Sequence, residues 1–239
     1  AYDGAELTVD HATLTVAGAH SFARIVLQNG AVLTHEAAPA GQPERAVRLV
    51  VTGDVTIDAT SRVDVSGRGY VEAGSPGAGA MGNYAGSGGG HGGHGSGSNG
   101  ISAPGGGAYG SILDPDEWGG PGGNSDSTGA FVPGGGLIHL DVAGVLTVEG
   151  AIRADGAGAW INNQGGGAGG SVWLRAGTLA GSGAISANGG GGEWVDGGGG
   201  AGGRIAVRYT QTQFAGSFSA VGAGGAGVGA RDRELTVTS

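Results

Sequence analysis

One short phrase occurs twice in this chain. Gly165-Gly166-Gly167-Ala168-Gly169-Gly170 returns, position for position, as Gly198-Gly199-Gly200-Ala201-Gly202-Gly203. Each copy runs straight into an apolar alternation, Val172-Trp173-Leu174 after the first and Ile205-Ala206-Val207 after the second. Earlier, Gly134-Gly135-Gly136 leads into Ile138-His139-Leu140, and Ile138 precedes Val172 by one residue more than Val172 precedes Ile205. A near-fixed period of this size marks a chain that stacks one coil on the next, because a single repeat cannot bury its own apolar face.

The copies agree beyond their glycines. A second apolar triplet follows each alternation at a near-constant distance: Ile152-Arg153-Ala154, Ile185-Ser186-Ala187 and Phe218-Ser219-Ala220. Between the two lies Leu146-Thr147-Val148, of which later copies keep only the anchors Leu179 and Phe214. Period-two alternation rich in β-branched residues predicts half-buried strands. Three short strands per coil, separated by turns, is the plan of an all-β, right-handed parallel β-helix, or β-solenoid. Parallel strands otherwise need helical crossovers, and no stretch here has helical periodicity.

The first third repeats the pattern with less glycine. Leu7-Thr8-Val9, Leu14-Thr15-Val16, Ile25-Val26-Leu27 and Val32-Leu33-Thr34 alternate, with the turn signal Asn29-Gly30 between the last two. Val47 to Val51, Val55-Thr56-Ile57 and Val63-Asp64-Val65 follow. Leu49 stands as far before Val63 as Ile138 does before Ile152, which puts Leu49 in the place of Ile138. The expected organisation is one domain over 1–239, with N-terminal coils at 1–66 and a glycine-rich insertion at 67–136. Coils of about 33–34 residues then fill 137–239.

With Gly 60 and Pro 7 in 239 residues, an aperiodic chain would be assigned to disorder. The period and the 38% hydrophobic content argue for order instead. The insertion holds Gly88-Gly89-Gly90-His91-Gly92-Gly93-His94-Gly95 and Pro104-Gly105-Gly106-Gly107. Such tracts are flexible linkers by default. Alternatively they pack as left-handed polyglycine II helices of three residues per turn. Ordering a glycine costs ~0.5–1 kcal/mol relative to alanine, which close backbone approach must offset. The fixed phase of the shorter runs favours this ordered layer.

Charge narrows the function classes. The net charge is −9, there is no lysine, and all 11 basic residues are arginine. That disfavours nucleic-acid binding and excludes lysine-dependent phosphate loops. No apolar run reaches membrane-spanning length, so no membrane insertion is expected. Without cysteine there is no disulfide or thiolate site. The chain starts at Ala1 with no leader-like apolar segment, so a signal peptide is taken as removed or never present.

Gly183-Ala184-Ile185-Ser186-Ala187 and Gly202-Gly203-Arg204-Ile205-Ala206 carry a further likeness. Over residues 46 to 220 the chain resembles secreted, glycine-rich bacterial surface proteins. More distantly it is similar to the polyglycine-sandwich tips of phage adhesins. The resemblance rests on repeat grammar. It implies an extracellular or cell-surface location and a structural or adhesive role, and it supplies no catalytic residues.

Several constellations compete for a chemical role. Asp114, Asp116 and Glu117, with Asp126 nearby, could ligate calcium, the one cofactor considered. They lack EF-hand spacing and its glycine, so a solvated turn is the simpler reading. His91 and His94 have a metal-pair spacing but no third ligand, which makes them surface side chains. Asp64 and Arg153 share the outward position of the third strand with Ser186 and Ser219. No second carboxylate is placed there, so a polysaccharide-cleaving enzyme ranks a distant third.

Tyr70, Trp160 and Trp194 each leave the third strand on the same edge, a short way beyond its end. They are expected to form an exposed ladder able to stack on sugar rings or a partner, unless they merely cover the glycine layer. His139 and Trp173 are expected to meet as an exposed contact between adjacent coils. Leu7 and Val9 at one end, and Leu235 and Val237 at the other, read as uncapped strand edges. The favoured function is therefore a non-catalytic subunit adding copies of itself head to tail into an extracellular fibre. The alternative is a module binding surface glycans.

Overall fold

A computed structural model describes residues 4–37, 45–82, 84–98, 103–124, 130–161, 163–193 and 195–225, and the backbone of 234–238. Its fifteen strands are, in order, β1 (Glu6–Asp10), β2 (Thr13–Thr15), β3 (Ala19–Phe22), β4 (Arg24–Gln28), β5 (Val32–Thr34), β6 (Val47–Val51), β7 (Val55–Ile57), β8 (Arg62–Asp64), β9 (Leu137–Val148), β10 (Ala151–Arg153), β11 (Ser171–Gly181), β12 (Ala184–Ser186), β13 (Arg204–Phe214), β14 (Ser217–Ser219) and β15 (Glu234–Thr238). No helix occurs among the described residues. Named strands pair only in parallel, in two open sheets.

The chain alternates between these sheets. Strands of the larger sheet are followed by a three-residue strand of the smaller one, and from β8 to β13 a glycine-rich segment carries the chain back. The smaller sheet runs β2-β5-β8-β10-β12-β14. Its register puts Leu14, Leu33, Val63, Ile152, Ile185 and Phe218 in one inward column, an apolar residue on every rung. The larger sheet answers with columns such as Leu49, Leu140, Leu174 and Val207. These columns meet in a single core in which Leu27, Leu33, Leu49, Ile57, Leu140, Ile152 and Leu174 are fully buried. Each such side chain contributes about 1.5–3 kcal/mol relative to exposure.

Three sequence expectations need correction. The predicted first and middle strands fuse into one strand of 12 residues in β9 and of 11 residues in β11 and β13. They stay apart only near the N-terminus, as β3/β4 and β6/β7. Secondly, Leu49 pairs with Leu140, not Ile138, whose partner is Val47. The Asp58–Ser61 turn lengthens the passage from Ile57 to Val63 relative to that from Val148 to Ile152, and this displaces the count. Thirdly, the one-residue inequality between successive repeats is a structural feature. Ala176 pairs with Val142 but Thr178 with Val145, so β9 carries one extra residue as a bulge.

The glycine segments are tied together in a rotating pattern. The amides of Gly165 and Ala168 donate to Gly123 and Gly120; those of Gly166 and Gly169 donate to Gly198 and Ala201. Those of Gly167 and Gly170 donate to Ala157 and Ala154. One segment thus addresses three neighbours in turn, returning to each at every third position. A strand of period two cannot do this, whereas an extended helix of three residues per turn does. The segments lie too close for side chains. A Cβ on Gly166 would fall 1.9 Å from the Gly190 oxygen, and one on Gly88 would fall 1.8 Å from that of Gly199.

The insertion joins this layer. Gly89 donates to Gly166, Gly92 to Gly202, and Ser96 to Gly199, while Gly198 and Ala201 donate back to Gly86 and Gly89. Its later part crosses the outer face of the larger sheet. There Ala46, Tyr70, Trp118 and Leu137 form a second small core, with Tyr109 packed against it.

Candidate functional site

On the outer face of the larger sheet, parallel register sets His139 beside Trp173. The rings stack with centroids 4.0 Å apart and planes at 22°. The Arg208 guanidinium lies 5.5 Å from the indole centroid, within cation–π range. The expected cross-coil contact is present, but it is not exposed, because Trp173 is only 6% accessible. The insertion covers it: Asp116 pairs with Arg48 at 2.6 Å, and Arg208 donates to the Leu113 carbonyl at 2.8 Å. Burial first, and Arg48 second, push the His139 pKa below its ordinary value.

Tyr70 leaves the expected aromatic ladder altogether. It is 6% exposed and meets Trp118 edge-on at 5.3 Å. Its hydroxyl donates to Glu117 Oε2 at 3.3 Å, and burial, then Glu117, raises its pKa to about 12. Trp160 is 58% exposed, as the ladder requires, and Trp194 lies outside the described residues. Ile161, Val195, Tyr84 and Met81 are exposed as well. Their turns are neighbours: Gly86 donates to the Asn163 carbonyl, and the Asn163 amide donates to Glu193 Oε2.

The acidic cluster is dispersed among separate partners. Asp116 is held by Arg48 and Glu117 by Tyr70, whereas the Asp114 amide is capped by the Ser111 hydroxyl. Asp126 lies outside the described residues, among which no group of three His, Cys, Asp or Glu could hold a metal ion. His94 is exposed, but His91 is fully buried and not a surface side chain. Its Nδ1–H donates to the Gly169 carbonyl at 2.8 Å and its ring packs on Tyr109 at 4.9 Å. Burial lowers its pKa to about 4. Arg204, which follows the second glycine phrase, is also buried, and donates to the Tyr109 carbonyl at 3.0 and 2.8 Å. These residues pin the insertion to the sheet, a role that nothing in their local sequence announces.

The two ends of the core differ from its middle. At the N-terminal end β1, β2 and β3 each have a partner on one side only among the described residues. Between them opens an apolar cavity of about 360 Å³, lined by Leu7, Leu14, Val16 and Phe22 among others. Val9 is buried in the core. At the other end β14 has no second partner among the described residues, and Phe214 and Phe218 are only partly buried, with ring centroids 5.1 Å apart. β15 extends the larger sheet, placing Leu235 opposite Ile205 and Val237 opposite Val207. It pairs with β13 as far as Arg208, and 209–214 have no partner on that side among the described residues.

The smaller sheet carries the column foreseen from sequence, Asp64, Arg153, Ser186 and Ser219. It also carries a second carboxylate that sequence reasoning missed. Asp155 accepts from the Ser186 hydroxyl at 3.0 Å and from the Asn188 amide at 2.6 Å. Burial raises its pKa despite these bonds. The signal was available: two positions beyond outward-facing Arg153, alternation returns to the same face. Comparisons with family models, curated proteins and solved structures return no match for this chain.

Proposed function

We propose that this protein is a non-catalytic structural subunit that joins head to tail into an extracellular fibre or surface appendage. In this reading the alternating sheets are a right-handed parallel β-helix, the hand that parallel crossovers take in about 98% of cases. The glycine segments are a polyglycine II layer that stiffens it. The observation carrying the proposal is the open N-terminal end. A cavity lined by Leu7, Leu14, Val16 and Phe22 sits among three strands with unpaired edges, and Phe214 and Phe218 stand part-exposed at the opposite end. Soluble solenoids cap such ends, since open edges recruit further strands. Two different ends meeting make a heterologous contact that propagates instead of closing.

Sedimentation over a hundredfold concentration range and electron microscopy test this. Elongated assemblies growing with concentration are expected, and Leu14→Asp, which puts a charge in the open end, should abolish them without lowering the melting temperature of the remaining coils by more than a few degrees. A wild-type protein that stays monomeric throughout overturns the proposal.

Glycan binding is favoured second by one observation: the exposure of Trp160 beside Ile161 and Val195 at the rim of the glycine layer. Trp160→Ala would then abolish retention on a glycan matrix and leave assembly intact.

A further inference from the structure

The outer face of the smaller sheet holds a trough that belongs to neither reading. Two hollows adjoin there, of about 280 and 230 Å³, and Arg62 lines both. Asp64, Ser66 and Arg68 border the first; Glu149 and Arg153 border the second. The carboxylates are already engaged. Asp64 takes the Arg62 Nε at 3.2 Å and the Ser66 amide at 3.0 Å; Glu149 takes the Ser182 hydroxyl at 2.6 Å. Asp155, beside Arg153, is held by Ser186 and Asn188. Arg68 and Arg153 differ, since neither side chain makes a hydrogen bond or salt bridge among the described residues. Arg153 is exposed and Arg68 half-buried, so both forks are open to a ligand.

We infer that this trough binds an acidic polysaccharide, with Arg68 and Arg153 taking sugar carboxylates and the flanking hydroxyls taking sugar hydroxyls. Arginine suits the task because its planar fork matches a carboxylate bidentately. Thr13 and Ser66 supply hydroxyls along the same floor, whereas those of Thr34 and Thr60 are already bonded to the Asp64 carbonyl and to Asp58. Cations interleaved with carboxylates and hydroxyls suit a polymer that presents its carboxylates among hydroxyls. No aromatic ring lines either hollow, so the bases of a single strand have nothing to stack on.

The test is retention on immobilised sodium polygalacturonate at low salt, with uncharged dextran and single-stranded oligo(dT) as the other arms. Polygalacturonate is expected to bind, weakening as salt rises, while dextran and oligo(dT) do not. The double variant Arg68→Gln/Arg153→Gln should lose at least tenfold in affinity with an unchanged melting curve. Arg175→Gln, on the other sheet and paired with Asp141, should bind as the wild type does. Absence of polygalacturonate binding at millimolar concentration overturns the inference. So does equal binding of dextran or oligo(dT), or undiminished affinity in the double variant. None of these outcomes depends on whether the protein forms fibres.

Discussion

His35 and His91 are fully buried, and each is held neutral by its surroundings. The Nε2 of His35 accepts the Leu137 amide at 3.2 Å, so the proton sits on Nδ1 and is donated to the Glu36 carbonyl at 2.5 Å. A second proton on Nε2 would face an N–H. Burial is the main cause of a pKa lowered to about 4 in both residues; Arg68 and Arg45 reinforce it at His35, and Arg204 at His91. The sign follows directly. An unfolded histidine takes up a proton near pH 6.5 and the folded one does not, so stability falls as pH drops from there towards about 4. Below that the folded state protonates too and the loss levels off. Each histidine should add about 1.4 kcal/mol per pH unit to the slope between about pH 6 and 4.5. Denaturant midpoints across that range check it: His91→Gln should remove about one such increment. A flat wild-type profile would mean that these rings are not buried and neutral.

At the level of the element, glycine acts by its size more than by its backbone freedom. None of Gly165, Gly166 and Gly167 has a positive φ, so no unusual conformation demands glycine there. What demands it is the neighbouring chain, 1.9 Å from a Cβ on Gly166. Gly166→Ala should therefore cost ~3 kcal/mol or more, at the upper end of overpacking effects, since the Gly190–Gly191 backbone must move. Gly107 has nothing within 4 Å of its Cβ and no positive φ. Gly107→Ala should be neutral or stabilising by about 0.4–1 kcal/mol, through loss of freedom in the unfolded chain. Comparable melting temperatures for the two variants would discard the packed layer. The same contrast explains what could be read in advance. Apolar alternation announces itself, so the sheet columns through Ile152, Ile185 and Phe218 were legible, as was the period. Gly144 and Gly177 fall where a turn is expected between the first and middle strands, yet the sheet absorbs the first as a bulge and runs through the second. Glycine tracts carry no side-chain pattern to point at a partner. For that reason the docking of the insertion was hidden, and with it the burial of Tyr70, His91 and Trp173 beneath it. Asp155 was legible but passed over, because only the triplet ending at Ala154 was aligned.

At the scale of the molecule, core and sheets end in unlike surfaces. One end offers a hollow between Leu7, Leu14 and Phe22; the other offers the rings of Phe214 and Phe218. The short strands at these ends share a pattern, Thr13-Leu14-Thr15 against Ser217-Phe218-Ser219. A second copy could thus continue the inward column that runs from Leu14 to Phe218. Head-to-tail growth then makes a prediction that self-complementary pairing does not. Leu14→Asp blocks one end and Phe218→Asp the other, so each variant alone should be monomeric. Mixed in equal amounts, they retain one good end apiece and should form a dimer that grows no further. Sedimentation velocity on the separate variants and on the mixture distinguishes the cases. If the ends paired with their own kind, each variant alone would still dimerise through its intact end. If strand edges alone drove association, neither substitution would stop elongation. A monomeric mixture would remove the core-to-core contact, and the structural role with it.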